Sequence, residues 1–248
     1  MQQYKNLIVS GCSFTTNGMG GVPPTGASQG GCSYIDNGEG YAASTPGSWA
    51  GFLAQKLNVI SMINTASGGH GNILIVYTLL EILNKFHYNP EHTLIVFNLS
   101  DPARLDMPCE FNHIDADHTH ILWTKNIIDH SYLKLSGRDT DKINKIVRLM
   151  GIDQVEQFTS NAVELLFTLL EHRKYNFYFM MMKNYINHRY LGPVIEKYKD
   201  RLINLNPGVS MYDFCQLTNN YISKLDKHPN INGHKLIADA VYSNINTL

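Results

Sequence analysis

The sequence predicts a three-layer α/β/α fold built around a central, mostly parallel five-stranded sheet. Short apolar runs that are typical of buried strands recur along the chain, and segments with helical periodicity separate them. Strands that alternate with helices pair in parallel and are covered on both faces. Since one α/β domain can reach this length, we expect all 248 residues to form a single domain. The predicted strands are 7–9, 59–63, 93–98, 176–182 and 202–205.

Apolar residues at three- and four-residue steps predict the helices between these strands. The clearest helix covers 154–173. The first helix is predicted to begin at a cap on Thr45, with Pro46 in its first turn, and to run to Leu57. The remaining predicted helices are 73–86, 209–218 and a last one that includes Leu236 and Val241.

Two long segments interrupt the alternation of strands and helices. Residues 16–44 are rich in glycine and proline, which predicts a loop. This loop leaves the end of the first strand, so we expect it to form part of a substrate wall or lid, with Tyr34 and Tyr41 as contacts. A decoration without a role is the alternative. Residues 106–151 are expected to be an insertion on the same side of the sheet.

Charge and composition argue against several classes of partner. The chain has 20 Lys and Arg against 21 Asp and Glu, so its formal net charge is -1 and nothing favours nucleic acid or an acidic membrane. No apolar run approaches the ~20 residues of a membrane helix. The N-terminus lacks the pattern of a signal peptide. We therefore expect a protein of the cytoplasm or another soluble compartment, and the sequence makes no prediction of its oligomeric state.

Cysteine usage favours free thiols. Cys12, Cys32, Cys109 and Cys215 are scattered and form no CxxC pair, which is typical of a reducing compartment. Cys12 adjoins Ser13, and neighbouring side chains along an extended segment point in opposite directions. Cys12 is therefore predicted to pack inward as a small hydrophobic residue.

The sequence HIDADHTH, at 113–120, contains histidines and aspartates that could bind a metal. Its alternation is typical of a strand or hairpin with one polar face, and no further ligand pair with zinc-site spacing accompanies it. We therefore predict no metal and no cofactor. The alternative is a metal-dependent hydrolase, whose activity would be sensitive to chelators and independent of Ser13.

A serine follows the first predicted strand directly. The apolar run 7–9 ends in Ser10 and Gly11, and Ser13 lies just beyond the strand. Ligands of open α/β sheets bind outside the carboxyl ends of the strands. A serine on this turn can expose its hydroxyl and offer its backbone N–H to a substrate oxygen. A plain strand-to-loop turn is the alternative for this stretch.

A matching base and acid occur near the other end of the chain. Asp226 precedes His228 by two residues, on a loop that Pro229 ends, just before the last predicted helix. A carboxylate at this spacing can orient an imidazole and leave its second nitrogen free to take a proton. His234 is the alternative base, although a structural role at the start of the helix is the expected one.

Four short blocks together resemble the SGNH (GDSL-like) hydrolase superfamily. They are GCSFT, NTASGGHGN at 64–72, FNLSDPAR at 97–104 and DKHPNINGH at 226–234. The resemblance covers both ends of the chain, and its specificity comes from the set and its order. It implies a three-layer flavodoxin-like fold, a nucleophilic serine and a histidine base. It also implies an oxyanion hole formed by the serine N–H, a glycine N–H and an asparagine side chain.

The resemblance assigns roles to individual residues. Ser13 would be the nucleophile, His228 the base and Asp226 its orienting acid. Ser13 and Gly69 would donate backbone N–H groups to the oxyanion, and Gly68 is the alternative if the register differs by one residue. Many members place the acid three residues before the histidine, so the two-residue spacing of Asp226 is a departure.

A second departure concerns the oxyanion hole, because Ser100 occupies the position of the asparagine. A serine hydroxyl can donate a hydrogen bond but is shorter than an amide. Loss of one oxyanion donor typically costs about 2.7–4 kcal/mol. Asn72 and Asn98 are possible substitutes and possible substrate contacts.

The implied function is a serine esterase that acts through an acyl-enzyme, with a short acyl ester on a carbohydrate as the expected substrate. Tyr34 and Arg104 are further possible substrate contacts, and Arg104 could hold a carboxylate or a sugar oxygen. The alternative, which Ser100 favours, is a catalytically silent domain that binds a glycan or a protein partner.

Overall fold

A computed structural model of the chain describes residues 4–15, 33–36, 47–66, 70–108, 123–127, 151–224 and 226–247. The strands are β1 (Asn6–Ser10), β2 (Ser33–Asp36), β3 (Ser61–Asn64), β4 (Thr93–Leu99), β5 (Arg104–Pro108), β6 (Trp123–Ile127) and β7 (Asn176–Met181). The helices are α1 (Trp49–Leu57), α2 (Asn72–Phe86), α3 (Ile152–His172), α4 (Leu191–Lys197), α5 (Met211–Leu217) and α6 (Ile231–Thr247). Pro90–His92 and Lys199–Arg201 form short 3-10 turns.

The main sheet has five strands in the order β2-β3-β1-β4-β7. Strand β1 is parallel to both β3 and β4, and β4 is parallel to β7. Strand β2 pairs with β3 in the antiparallel sense. The sheet therefore contains four parallel strands and one antiparallel edge strand, and β1 lies at its centre. Strands β5 and β6 form a separate antiparallel pair.

The predicted fifth parallel strand, 202–205, does not form. Leu202 makes only an isolated parallel bridge with Phe179. The backbone N–H of Asn204 donates instead to the side-chain oxygen of Asn244 in α6 at 3.0 Å, and the Asn244 amide donates back to the Asn204 carbonyl at 3.2 Å. These side-chain bonds take the place of a strand ladder. The fifth strand of the sheet is β2, which lies within the predicted loop 16–44.

The two faces of the sheet bury different clusters, as a covered parallel sheet requires. On one face, side chains of alternate strand residues pack against α1, α5 and α6; this cluster includes Leu7, Val9, Leu94, Val96, Trp49, Met211 and Ile237. On the other face, the intervening residues pack against α2, α3 and α4; this cluster includes Ile8, Ile95, Phe97, Leu79, Phe167 and Ile195. The three-layer α/β/α prediction is confirmed.

Helix α1 begins later than the sequence predicts. Its N-cap is Ser48, whose hydroxyl oxygen accepts the Gly51 N–H at 3.3 Å. The first backbone N–H, that of Trp49, donates to His234 Nδ1 at 3.2 Å. The predicted cap on Thr45 is therefore wrong, because the helix begins at Trp49. Ser48 and His234 accept the first free N–H groups of this helix.

Several expectations fall outside the described residues. These include the conformation of Tyr41, the histidine-rich cluster at 113–120 and the glycines of 67–69. Part of the predicted insertion is described, since β5 and β6 pair across it. In the described part of the chain, no helix is long and apolar enough to cross a membrane.

Candidate active site

The turn that follows β1 carries Ser13 at the centre of the sheet. The chain leaves the strand through Gly11, whose φ is +155°, and the turn closes where the Thr15 N–H donates to the Cys12 carbonyl at 2.9 Å. A Cβ on Gly11 would overlap the side-chain oxygens of Asn98 and Thr15. Only glycine fits here, because the residue combines a positive φ with close approach of two side chains. Ser13 is partly exposed at the carboxyl edge of the sheet.

The loop that precedes α6 brings His228, which is 215 residues from Ser13 in sequence, to the serine together with an aspartate. His228 Nε2 lies 2.7 Å from Ser13 Oγ, and His228 Nδ1 lies 2.5 Å from Asp226 Oδ1. The His228 backbone N–H also donates to Asp226 Oδ1 at 3.0 Å. The three side chains thus form one continuous hydrogen-bonded chain.

Local backbone bonds explain how the loop holds this arrangement. The Ile222 N–H donates to the His228 carbonyl at 3.0 Å, and the Asp226 N–H donates to Ser223 Oγ at 3.0 Å. Phe14, next to Ser13, packs against the imidazole with ring centroids 4.5 Å apart. The imidazole is therefore held by hydrogen bonds in its plane and by an aromatic ring across its face.

Asp226 is set up to stay ionised. Partial burial acts to raise the pKa of its carboxyl, but the bonds from the His228 backbone N–H and ring outweigh it and hold the pKa below the ordinary value. An ionised carboxylate at Nδ1 fixes the imidazole tautomer that leaves Nε2 able to accept the proton of Ser13. The arrangement can therefore generate a nucleophilic serine.

His234 has the environment of a structural residue. It is 2% exposed, and its Nδ1 accepts the Trp49 N–H at 3.2 Å. Burial, together with the nearby His228, lowers the pKa of His234 to about 4. A neutral imidazole that serves as a helix-cap acceptor matches the structural role expected for it and not that of the base.

Ser100 lies at the end of β4 in a network with Asn72 and Arg104. The Asn72 carboxamide accepts the Ser100 N–H at 2.8 Å and donates to the Ser100 carbonyl at 3.1 Å. Arg104 Nη1 donates to Ser100 Oγ at 2.9 Å and to the His70 carbonyl at 3.4 Å. Ser100 is fully buried at 0% exposure. The network ties the segment after β4 to the start of α2.

Asn98 lies beneath the Ser13 turn instead of facing outward. It is fully buried, and its side-chain oxygen accepts the Cys12 N–H at 3.1 Å and the Thr15 hydroxyl. Asn72 is equally buried and is bonded to Ser100. Both carboxamides thus make hydrogen bonds inside the protein. This buried position differs from the substrate contacts expected for them.

The remaining sequence predictions have mixed outcomes. Cys12 is fully buried and its thiol contacts Met182 Sδ at 3.6 Å, so the inward packing is confirmed. Gly69 and its alternative Gly68 lie outside the described residues. The backbone of Tyr34 pairs with Ile63 in the β2–β3 ladder, and its side chain is outside the description.

Sequence reasoning missed the supporting residues of the turn. Gly11 could have been found from its place between a strand and a serine, where a tight turn favours glycine. Phe14 and Thr15 carry no local signal, because their roles depend on His228 and Asn98, which are distant in sequence.

A cavity of about 750 Å³ opens at the opposite edge of the sheet. Its lining includes Tyr4, just before β1, and Asn176, the first residue of β7. It therefore lies at the amino ends of the strands, away from Ser13. No group of three or more potential metal ligands occurs among the described residues.

An α/β sheet with a hydrogen-bonded Ser, His and Asp at the carboxyl edge of its central strands has the architecture found in serine hydrolases. No family model matches the sequence, and no curated protein matches it. Solved structures do match. The structure of TesA has a TM-score of 0.52 and 12% identity, covering 98% of each chain. The YxiM protein of Bacillus subtilis has a TM-score of 0.52 and 14% identity, covering 98% of this chain and 56% of that one.

A further match is the esterase EstA of Pseudoalteromonas, with a TM-score of 0.49, 12% identity and coverage of 98% of this chain and 97% of that one. A lipolytic protein of the G-D-S-L family from Veillonella parvula also matches, with a TM-score of 0.48, 11% identity and coverage of 98% of this chain and 99% of that one. The chain has the fold of the SGNH hydrolases.

Proposed function

We propose that the chain is a serine esterase that cleaves its substrate through an acyl-enzyme on Ser13. The hydrogen-bonded chain from Ser13 through His228 to Asp226 carries this proposal, with heavy-atom distances of 2.7 and 2.5 Å. These distances lie within the reach required of a nucleophile, its base and the group that orients the base. The SGNH fold supports the same class of reaction.

In the proposed mechanism, His228 Nε2 takes the hydroxyl proton as Ser13 Oγ attacks the ester carbonyl. Asp226 stabilises the imidazolium that forms, and the proton then passes from His228 to the leaving alcohol oxygen. Water, deprotonated by His228, next attacks the acyl carbon; the bond to Ser13 Oγ breaks, His228 returns its proton to Oγ, and the acid is released. An acceptor hydroxyl in place of water would give acyl transfer by the same steps.

The proposed oxyanion donors are the Ser13 N–H, the Gly69 N–H and the Ser100 hydroxyl. Because the Ser100 oxygen accepts from Arg104 Nη1, its own hydrogen is left to donate elsewhere. The cationic guanidinium would polarise that hydroxyl and strengthen the donated bond. This support offsets part of the loss expected when serine replaces an asparagine donor.

For the substrate class, we propose a short acyl ester on a carbohydrate. Arg104 supports it, since a guanidinium beside the end of β4 can hold sugar oxygens or a carboxylate. Tyr34 is the proposed aromatic contact, because it belongs to a strand that borders β3 at the edge of the same sheet.

The second candidate function is a catalytically silent SGNH-type domain that binds a glycan or a protein partner. The burial of Ser100 favours it, since a fully buried hydroxyl bonded to Arg104 is poorly placed to meet a substrate oxygen. This candidate predicts binding without turnover.

The experiment that tests the proposal measures turnover of p-nitrophenyl acetate by wild type, Ser13→Ala and Ser160→Ala. Ser160 is a buried serine of α3 whose hydroxyl donates to the Glu156 carbonyl, so it is a matched control. We expect Ser13→Ala to fall to the background rate while Ser160→Ala keeps wild-type turnover. Equal rates for folded wild type and Ser13→Ala would reject the esterase and favour the binding domain.

A further inference from the structure

The carboxamide of Asn98 contacts both ends of the turn that carries Ser13. Its oxygen accepts the Cys12 N–H at 3.1 Å and the Thr15 hydroxyl, and its nitrogen donates to Cys12 Sγ at 3.4 Å. Cys12 and Thr15 flank Ser13 and Phe14, and they are joined by a backbone bond of 2.9 Å. A single side chain from β4 therefore holds the turn that follows β1.

Sheet register explains why Asn98 reaches this position. Ser10, the last residue of β1, pairs with Phe97 of β4. The next residues along the two parallel strands are Gly11 and Asn98, so Asn98 lies beside the point where β1 ends and the turn begins. The missing Cβ of Gly11 leaves the space that the Asn98 oxygen occupies. The position of the Asn98 side chain therefore requires a glycine at residue 11.

We propose that Asn98 is a positioning residue for the nucleophile, which sets the direction of the Ser13 hydroxyl and backbone N–H through the Cys12 and Thr15 contacts. This inference rests on the proposed esterase function. The side chain of Asn98 bonds to Cys12 and Thr15, so it acts through the turn. It binds the turn at its start and at its end, which leaves Ser13 between two fixed points.

The role requires a carboxamide at this site. Its oxygen accepts two donors, and its nitrogen donates to the Cys12 sulfur at the same time. A shorter or apolar side chain would leave the buried Cys12 N–H and Thr15 hydroxyl without their acceptor. The turn would then relax toward other partners and carry Ser13 away from His228.

Displacement of the nucleophile should affect the chemical step more than substrate binding. A shift of about 1 Å in a reacting group can cost about 10²-fold in rate. We therefore expect Asn98→Ala to lower kcat and the rate of fluorophosphonate labelling by about 10²-fold, with KM within about threefold of wild type. A residue that only stabilised the fold would not separate kcat from KM in this way.

Thr15→Val provides a second, milder variant. It removes the Thr15 hydroxyl, which is one of the two donors to the Asn98 oxygen, and it keeps the shape of the side chain. We expect it to lower the labelling rate by about tenfold. Because Thr15 acts through Asn98, the double variant should be no slower than Asn98→Ala alone.

Asn6→Ala is the matched control. Asn6 begins β1, and its amide donates to Thr93 Oγ1 of β4 at 3.2 Å, so it joins the same two strands at the opposite edge of the sheet. The experiment compares kcat, KM and labelling rates of wild type and the four variants, in samples shown by circular dichroism to be folded. Asn6→Ala should match wild type.

Each result decides the inference. Equal labelling rates for Asn98→Ala and Asn6→Ala would overturn it, as would losses from Thr15→Val and Asn98→Ala that multiply in the double variant. If Asn98→Ala does not fold, a wild-type rate for Thr15→Val overturns it. A folded wild type that neither turns over nor labels would reject the esterase function and the inference with it, which is a different pattern from failure of the inference alone.

Discussion

At the scale of single residues, short local patterns in the sequence already single out Ser13, Asp226 and His228. A small polar turn after an apolar strand and a DKHP loop before a helix are enough to nominate them. Their distances could not be predicted, because they depend on how the two ends of the chain pack. The Asn98 contacts could not be predicted either, since nothing in FNLSD shows that its asparagine points beneath the turn.

Replacing Asp226 by asparagine should impair catalysis with little effect on substrate binding. An amide cannot stabilise the imidazolium of His228 and can impose the wrong tautomer, which in comparable sites costs about 10⁴-fold in kcat. Steady-state kinetics of Asp226→Asn would measure this. The control is Asp239→Asn, an exposed carboxylate that pairs with Lys56 at 2.6 Å. An Asp226→Asn enzyme as fast as the control would contradict the assigned role.

His234 should make the fold sensitive to acid. Its pKa is lowered from 6.5 to about 4 in the folded state, so the unfolded state binds the proton first as pH falls. The stability contribution of neutral His234 is complete above pH 6.5 and is lost between pH 6.5 and about 4. At about 1.4 kcal/mol per pKa unit, the total loss is about 3 kcal/mol.

His234→Asn tests this pH dependence, because asparagine can accept the Trp49 N–H and does not titrate in this range. Urea unfolding at pH 7 and pH 4.5 should show that the variant loses less free energy of unfolding than wild type. Equal losses for the two proteins would refute the link to His234.

At the scale of secondary structure elements, the sequence predicts four of the five strands of the main sheet and most of the helices. Strands β1, β3, β4 and β7 are recognisable because each is an apolar run between helical segments. Strand β2 was missed because it lies among glycines and prolines, and its place depends on pairing with β3. The false strand at 202–205 has a suitable apolar pattern, but the backbone N–H and carbonyl of Asn204 bond to the Asn244 side chain instead of a strand.

The buried face of helix α3 contributes more to the free energy of unfolding than its exposed face. Phe167 is fully buried among Phe97, Phe177 and Phe179, whereas Leu165 of the same helix is 61% exposed. We expect Phe167→Ala to lower the free energy of unfolding by about 3–5 kcal/mol and Leu165→Ala by less than about 0.5 kcal/mol. Chemical denaturation of both variants would measure the difference. Similar losses would contradict the packing described for α3.

At the scale of the whole molecule, the candidate active site depends on the order of strands in the sheet. The central strand β1 carries Ser13, its neighbour β4 carries Asn98, and the loop before α6 supplies His228. The resemblance of four blocks to SGNH hydrolases predicted this fold, in which three of the blocks lie at the ends of strands β1, β3 and β4 and the fourth begins in the loop before α6. It could not predict how Ser100, the departure from the pattern, would be bonded.

The proposed mechanism needs no metal, so turnover should withstand chelation. We expect dialysis against EDTA to leave the p-nitrophenyl acetate rate of wild type unchanged, since the proton transfers all involve side chains of the chain itself. Comparison of the dialysed protein before and after addition of Zn²⁺ measures this. Turnover that disappears with EDTA and returns with metal would favour a metal-dependent hydrolase instead.

The most direct test of the central claim is intact-mass and peptide mapping after reaction with a fluorophosphonate. The probe reacts with a serine only when a base activates it. We predict a single adduct on Ser13 in wild type, and no adduct in Ser13→Ala or His228→Ala. An adduct on another residue, or none on folded wild type, would contradict the assignment of Ser13 as an activated nucleophile.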